Sequence, residues 1–186
     1  MPDEAIYMRP ASEEAGDRRP EDDRPHPKVG VLVVKNGSIL AKAHRSEIRN
    51  GEHAKFVALE RKLNHQVIAG AAVYITLEPC NQRNPSKIAR AARLAERRVK
   101  RVVIGVMDPD RRGQGYDALR DAGIDVELFP PALIAEIEEL NREFRRSRRG
   151  TIAFGTPSHF PRESTVASHA QLPAALSPIE LTYWER

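Results

Sequence analysis

The chain has 186 residues, with 30 Lys and Arg against 26 Asp and Glu, and a single cysteine, Cys80. That length suits one domain with tails and excludes two large domains, while one cysteine excludes an intramolecular disulfide and any site built from several thiolates of one chain. The formal charge of +4 is carried mostly by arginines interleaved with glutamates along helical stretches, which reads as solvated helix faces and makes nucleic acid an unfavoured partner. No apolar run approaches the ~20 residues needed to cross a bilayer, and MPDEAIYMRP lacks the basic-then-apolar layout of a signal peptide. The expectation is a cytoplasmic protein with no membrane association.

Residues 1–26 are polar and charge-dense, with a short helical stretch around Glu13–Ala15 between Pro10 and Pro20. From Val29 the run VGVLVVKNGSILAKA predicts a buried strand, a two-residue turn at Asn36-Gly37 and a second strand. A helix opens after Asn50-Gly51, and EHAKFVALERKL sets Ala54, Val57, Ala58 and Leu63 on one stripe. AAVYITLE and RVVIGVMD are β-branched, apolar runs separated by an arginine-rich helix over about 87–98. That makes them central strands joined by a crossover, hence parallel. A short helix over 116–122 stops at Gly123, IDVELF is a further strand, and PALIAEIEELNREFRRS is one last helix turning Leu133, Ile134, Ile137, Leu140 and Phe144 inward. The domain is expected over residues 27–146. Residues 147–186 are rich in Gly, Ser, Thr and Pro without sustained period, and are expected to be a mobile tail with Trp184 as its one anchor.

Hydrolytic deamination of a nucleobase needs a metal-bound hydroxide to attack a ring carbon and a carboxylate beside it to carry protons to the departing ammonia. Its signature is His-x-Glu followed by Pro-Cys-x-x-Cys. This chain has Glu52-His53-Ala54-Lys55 at the start of its first core helix and Thr76-Leu77-Glu78-Pro79-Cys80 at the end of the next strand. Those two strings, with HPKVG, AGAAVYITLEPC and VIGVMDP in the same order, resemble the cytidine and deoxycytidylate deaminase superfamily, nearest its riboflavin-pathway pyrimidine deaminase branch. The resemblance spans about residues 26–144. It implies a three-layer α/β/α fold with a mixed sheet of about five strands, zinc as cofactor, and assembly into dimers or larger oligomers.

Two departures bear on function. Where the resemblance calls for a proton-shuttling glutamate, the chain has Lys55, and where it calls for a second thiolate after Lys87-Ile88, the chain has Arg90. The zinc set is reduced to His53 and Cys80, a vestigial pair, because structural and catalytic zinc sites use three or four protein donors. A family site balances a dication against two thiolates and a carboxylate. Lys55 and Arg90 would instead bring two cations and favour an anion such as a phosphate or carboxylate between two helix N-termini.

Each residue also has a plainer reading. His53 can cap its helix, and Cys80 can be a small buried hydrophobe or a thiol activated at a helix N-terminus. Lys55 can bind an anion, pair with Glu78 or Glu52, or form a Schiff base, and Arg90 can point into solvent with Arg93 and Arg97. Glu52 is set about 100° from its neighbour and so does not replace the shuttle carboxylate. By resemblance, Glu78, Asn50, His26 and Asp108 border the pocket as ligand contacts.

The expected function is a catalytically degenerate deaminase-like protein that binds a nucleotide-like or anionic ligand, or pairs with itself or an active paralogue, without zinc. Two alternatives stand beside it. One is a repurposed enzyme using Lys55, Cys80 and His53 for non-hydrolytic chemistry on a heterocycle or carbonyl compound. The other is an active deaminase with a substitute ligand such as His159 or His169.

Overall fold

A computed structural model describes residues 5–79, 90–109 and 115–149. Cys80 and nearly all of the expected tail lie outside the described residues. The elements run α1 (Ala5–Gly16), β1 (Gly30–Lys35), β2 (Ser38–His44), α2 (Ala54–Phe56) continuing into a π-helical stretch (Val57–Lys62), β3 (Ala72–Leu77), α3 (Arg90–Glu96), β4 (Arg101–Val106), α4 (Gly115–Asp121), β5 (Asp125–Leu128), α5 (Pro131–Leu140) and α6 (Arg142–Arg149).

The five strands form one mixed sheet in the order β2-β1-β3-β4-β5. β1 is antiparallel to both β2 and β3, whereas β3, β4 and β5 run parallel. The Asn36-Gly37 turn forms with both residues at positive φ, 52° and 76°, the twist that a two-residue hairpin requires. Because side chains alternate across a strand, the apolar runs serve two cores at once. Val31, Val33, Val73, Ile75, Val102 and Ile104 pack under α2, α3 and α4, where the stripe Ala54, Val57, Ala58 and Leu63 is buried as its spacing predicts. Leu32, Val34, Tyr74 and Val103 face α1 and α5 through Met8, Ala11, Leu133 and Ile137. The result is the expected three-layer architecture.

Three local features depart from the sequence reading. The N-terminal helix starts at Ala5 and runs through Pro10. It is held by packing: Met8, Ala11 and Ala15 are buried, and α1 lies so close to β1 that a Cβ on Gly30 would stand 2.1 Å from the Ala11 carbonyl oxygen. The helix after His53 passes from α into π geometry, with the Leu63 amide bonded to Ala58 five residues back at 3.1 Å. The long last helix is broken at Asn141, whose buried side chain accepts from the Lys28 amide at 2.7 Å and donates to the Lys28 and Ile137 carbonyls at 3.1 Å each. The cross-chain contact to Lys28 accompanies the break, and Leu133, Ile137 and Phe144 still reach the core.

Candidate functional site

The connection between β2 and α2 is wound into a closed loop. The Ser46 amide donates to the Glu52 carbonyl at 2.8 Å, the Glu52 amide to the Arg49 carbonyl at 3.0 Å, and the Gly51 amide to Ser46 Oγ at 3.1 Å. Ser46 and Gly51 take positive φ, 62° and 77°, and Asn50 sits exposed on this turn. The loop delivers His53 to the N-terminus of α2 with extended backbone (φ −77°, ψ 141°). Its carbonyl accepts from Val57 at 3.0 Å, and its side chain makes no capping bond. The imidazole is therefore not spent on the helix end. Nη1 of Arg45 lies 3.3 Å from its Nδ1 and 3.5 Å from its Nε2. Lys55 follows on the same helical turn, 4 % exposed and not without a partner. Glu52, weighed as a partner for Lys55, holds Arg61 at 2.6 Å.

Arg45 is itself fixed by the segment that precedes β1. Its Nε donates to Glu21 Oε1 at 2.7 Å and its Nη2 to Oε2 at 2.9 Å, a bidentate pair whose side chains are 8 % and 7 % exposed. Ser46 Oγ donates to Glu21 Oε1 at 2.5 Å, and Arg18 Nε stands 3.7 Å from the same oxygen. Burial pushes the Glu21 carboxyl up, but the hydrogen bonds from Arg45 and Ser46 and the charges of Arg45 and His26 together outweigh it and hold the group below its ordinary range. His26 belongs to this segment as well. Its Nε2 is 2.9 Å from Asp22 Oδ1 and 3.9 Å from Glu21 Oε2, and it lines an open groove against α5 and α6 that also includes Arg18, Asn141 and Phe144. The Asp22 carboxyl is held well below the usual carboxylate range by hydrogen bonds from Arg24.

The second motif string lies at the end of β3. Glu78 is buried, its amide donates to the Val106 carbonyl at 2.8 Å, and both of its carboxylate oxygens accept from backbone. The Asp108 amide is 3.0 Å from Oε2 and the Tyr116 amide is 2.8 Å from Oε1. This carboxylate thus ties the exit of β4 and the first turn of α4 to the end of β3. Gly115 is needed beside it, since a Cβ there would stand 1.7 Å from the Pro79 carbonyl oxygen. Arg90 is the first residue of α3.

Of the residues singled out from sequence, His53 and Lys55 share one helix start, and Glu78 is joined to the backbone of Asp108. Asn50 is on the surface turn, and His26 is with the arm. Sequence reasoning missed Glu21, Arg45 and Ser46, which carry no motif and are separated by 24 and 25 positions. Among the described residues, one further group has metal-type donors. Glu14, His44 and Glu47 bring ligand atoms within 4.8 Å of one another, with His44 Nδ1 2.8 Å from Glu14 and Lys62 Nζ 2.5 Å from Glu47. Each of the three already has a side-chain partner.

Comparison with known proteins gives the arrangement a family. Residues 1–106 match the cytidine and deoxycytidylate deaminase zinc-binding region, and the chain belongs to that family. It is 36% identical over 130 residues to the riboflavin biosynthesis protein RibD of Escherichia coli, covering 68% of this chain and 34% of that protein. A diaminohydroxyphosphoribosylaminopyrimidine deaminase/5-amino-6-(5-phosphoribosylamino)uracil reductase of Thermotoga maritima superposes with a TM-score of 0.66 at 30% identity, over 76% of this chain and 40% of that one. RibD of Acinetobacter baumannii does so at 0.64 and 30%, over 77% and 39%. The chain thus spans about a third of the length of the curated relatives it matches. No helix among the described residues is long and apolar enough to cross a membrane.

Proposed function

We propose that this chain is a member of the deaminase family that does not carry out zinc-dependent hydrolytic deamination. It uses the retained scaffold to hold an anionic, nucleotide-like ligand, alone or in a pair with itself or an active paralogue. The observation that carries this reading is Lys55, covered from solvent on the first turn of α2, two residues after His53. The family chemistry needs a carboxylate there to take a proton from water and deliver it to ammonia, and an ammonium offers no acceptor for that proton. A lysine ammonium two residues after the histidine of the motif would also bring positive charge to where a dication would have to bind. Arg90 stands in the sequence where the resemblance gives the second thiolate, and the chain has no second cysteine to serve instead. A phosphate or carboxylate is the guest such charges favour.

The test is zinc content by elemental analysis of chelator-free protein, beside a Lys55→Glu, Arg90→Cys variant, with ammonia release from dCMP measured on both. The expected result is no zinc and no turnover in the unmodified protein, with zinc uptake in the variant. Near-stoichiometric zinc in the unmodified protein that disappears on His53→Ala would overturn the reading.

A further inference from the structure

The contact between Arg45 and His53 belongs to no motif, and it bears directly on what His53 is able to bind. A metal ion on either ring nitrogen stands about 2.0–2.1 Å from it. With Arg45 Nη1 at 3.3 Å from Nδ1 and 3.5 Å from Nε2, the ion would lie within roughly 5.6 Å of a guanidinium nitrogen whatever its direction of approach. Arginine does not lose its proton at any ordinary pH, so the charge is permanent. Nor is it screened by water, since the Arg45 side chain is 8 % exposed.

The guanidinium is also held from moving away. Glu21 engages Nε and Nη2, one edge of the fork, in bidentate geometry. The remaining nitrogen, Nη1, fronts the imidazole, so it is the cation of the pair and not its carboxylate that meets His53. Ser46 Oγ, on the residue next to Arg45, donates to the same Glu21 oxygen and so ties the β2–α2 loop to the arm independently of the guanidinium.

Resting on the reading above, we infer that Arg45 is an internal cation whose charge opposes a metal at His53, and that Glu21 of the N-terminal arm is the positioning residue that keeps it there. Metal exclusion is then written twice in this chain: in the replaced family positions Lys55 and Arg90, and in a clasp contributed by a segment outside the deaminase motifs. Restoring the two family positions would leave the second barrier standing.

The experiment titrates Zn²⁺ into Lys55→Glu, Arg90→Cys protein with and without Glu21→Gln, Arg45→Met, each paired with its His53→Ala counterpart so that only His53-dependent binding is scored. The Gln/Met pair removes both charges of the bidentate pair together, so that only Arg18, 3.7 Å from Glu21, loses its carboxylate, and thermal melting checks that each variant is folded. The expected result is a gain in His53-dependent affinity on the order of tenfold or more when the clasp is replaced, with a smaller gain for Glu21→Gln alone. Equal affinity with and without Arg45 would overturn the inference and leave the functional reading intact. A gain in the double replacement with none for Glu21→Gln would overturn the positioning role of Glu21. Absence of zinc from both backgrounds would overturn this inference together with the assignment of Lys55 and Arg90 to the old metal pocket. His53-dependent zinc in the unmodified protein would overturn the functional reading on its own.

Discussion

The end of β3 and the β2–α2 connection each withdraw a carboxylate from water, and they satisfy it by different means. Glu78 is held by the amides of Asp108 and Tyr116, which any residue but proline would supply at those positions. Glu21 is held by the side chains of Arg45 and Ser46, which depend on those residues alone. The first arrangement survives drift in the surrounding sequence as long as the backbone path is kept. The second depends on particular side chains, and it stands beside His53, the histidine of the motif. A backbone staple preserves a fold, whereas a side-chain staple can be added or lost with two substitutions.

The comparison is most sharply broken at Arg45. Arg45→Ala leaves the Glu21 carboxylate covered without its charge partner, and the cost is expected to be about 3–5 kcal/mol in urea unfolding. Glu78→Gln is expected to cost less, about 2–3 kcal/mol. The amide keeps one acceptor but turns its NH₂ toward a backbone N–H, so one of the two donors loses its bond. The local signature is faster hydrogen exchange at the Asp108 or Tyr116 amide. Replacing both partners, Glu21→Gln with Arg45→Met, is expected to cost less than Arg45→Ala, about 1–2 kcal/mol, because the bidentate pair goes as a unit and only the longer Arg18 contact loses its carboxylate. If the double replacement is as damaging as Arg45→Ala, the side-chain staple is holding the fold and not only the loop.

The sheet was legible because its signals are local. Five apolar runs, the Asn36-Gly37 turn and the 3.6-residue stripe from Ala54 to Leu63 each declare themselves within about a dozen residues. The break at Asn141 was not, because what accompanies it is a contact to the Lys28 backbone 113 residues away, and no periodicity in PALIAEIEELNREFRRS marks it. Pro10 misled for the related reason that the tertiary contacts of Met8, Ala11 and Ala15 outweigh one missing helical hydrogen bond. At the site, His53, Lys55 and Glu78 were found through motif strings, whereas Glu21 and Arg45 were invisible: a charge-dense arm reads as solvated until its partner is known. Sequence patterns report which residues a family motif contains, but not which residues of distant segments fold against them.

Acidification gives the finest test of the two staples. The folded pKa of Glu21 lies below its ordinary value of 4.5, so the stability it contributes is fully present above that value and drains away as pH falls through the lower, folded one. Protonation removes the bidentate acceptor, and Arg45 and Arg18 are then left facing one another across a neutral acid. Glu21→Gln is in effect protonated at every pH. Its stability is therefore expected to start lower than that of the unmodified protein near neutrality and to fall less steeply between about pH 6 and about pH 3, so that the two curves converge in acid. Urea midpoints across that range read the difference directly. Parallel curves would mean that Glu21 is as easily protonated in the folded chain as in the unfolded one, and that the clasp contributes geometry without the charge coupling assigned to it.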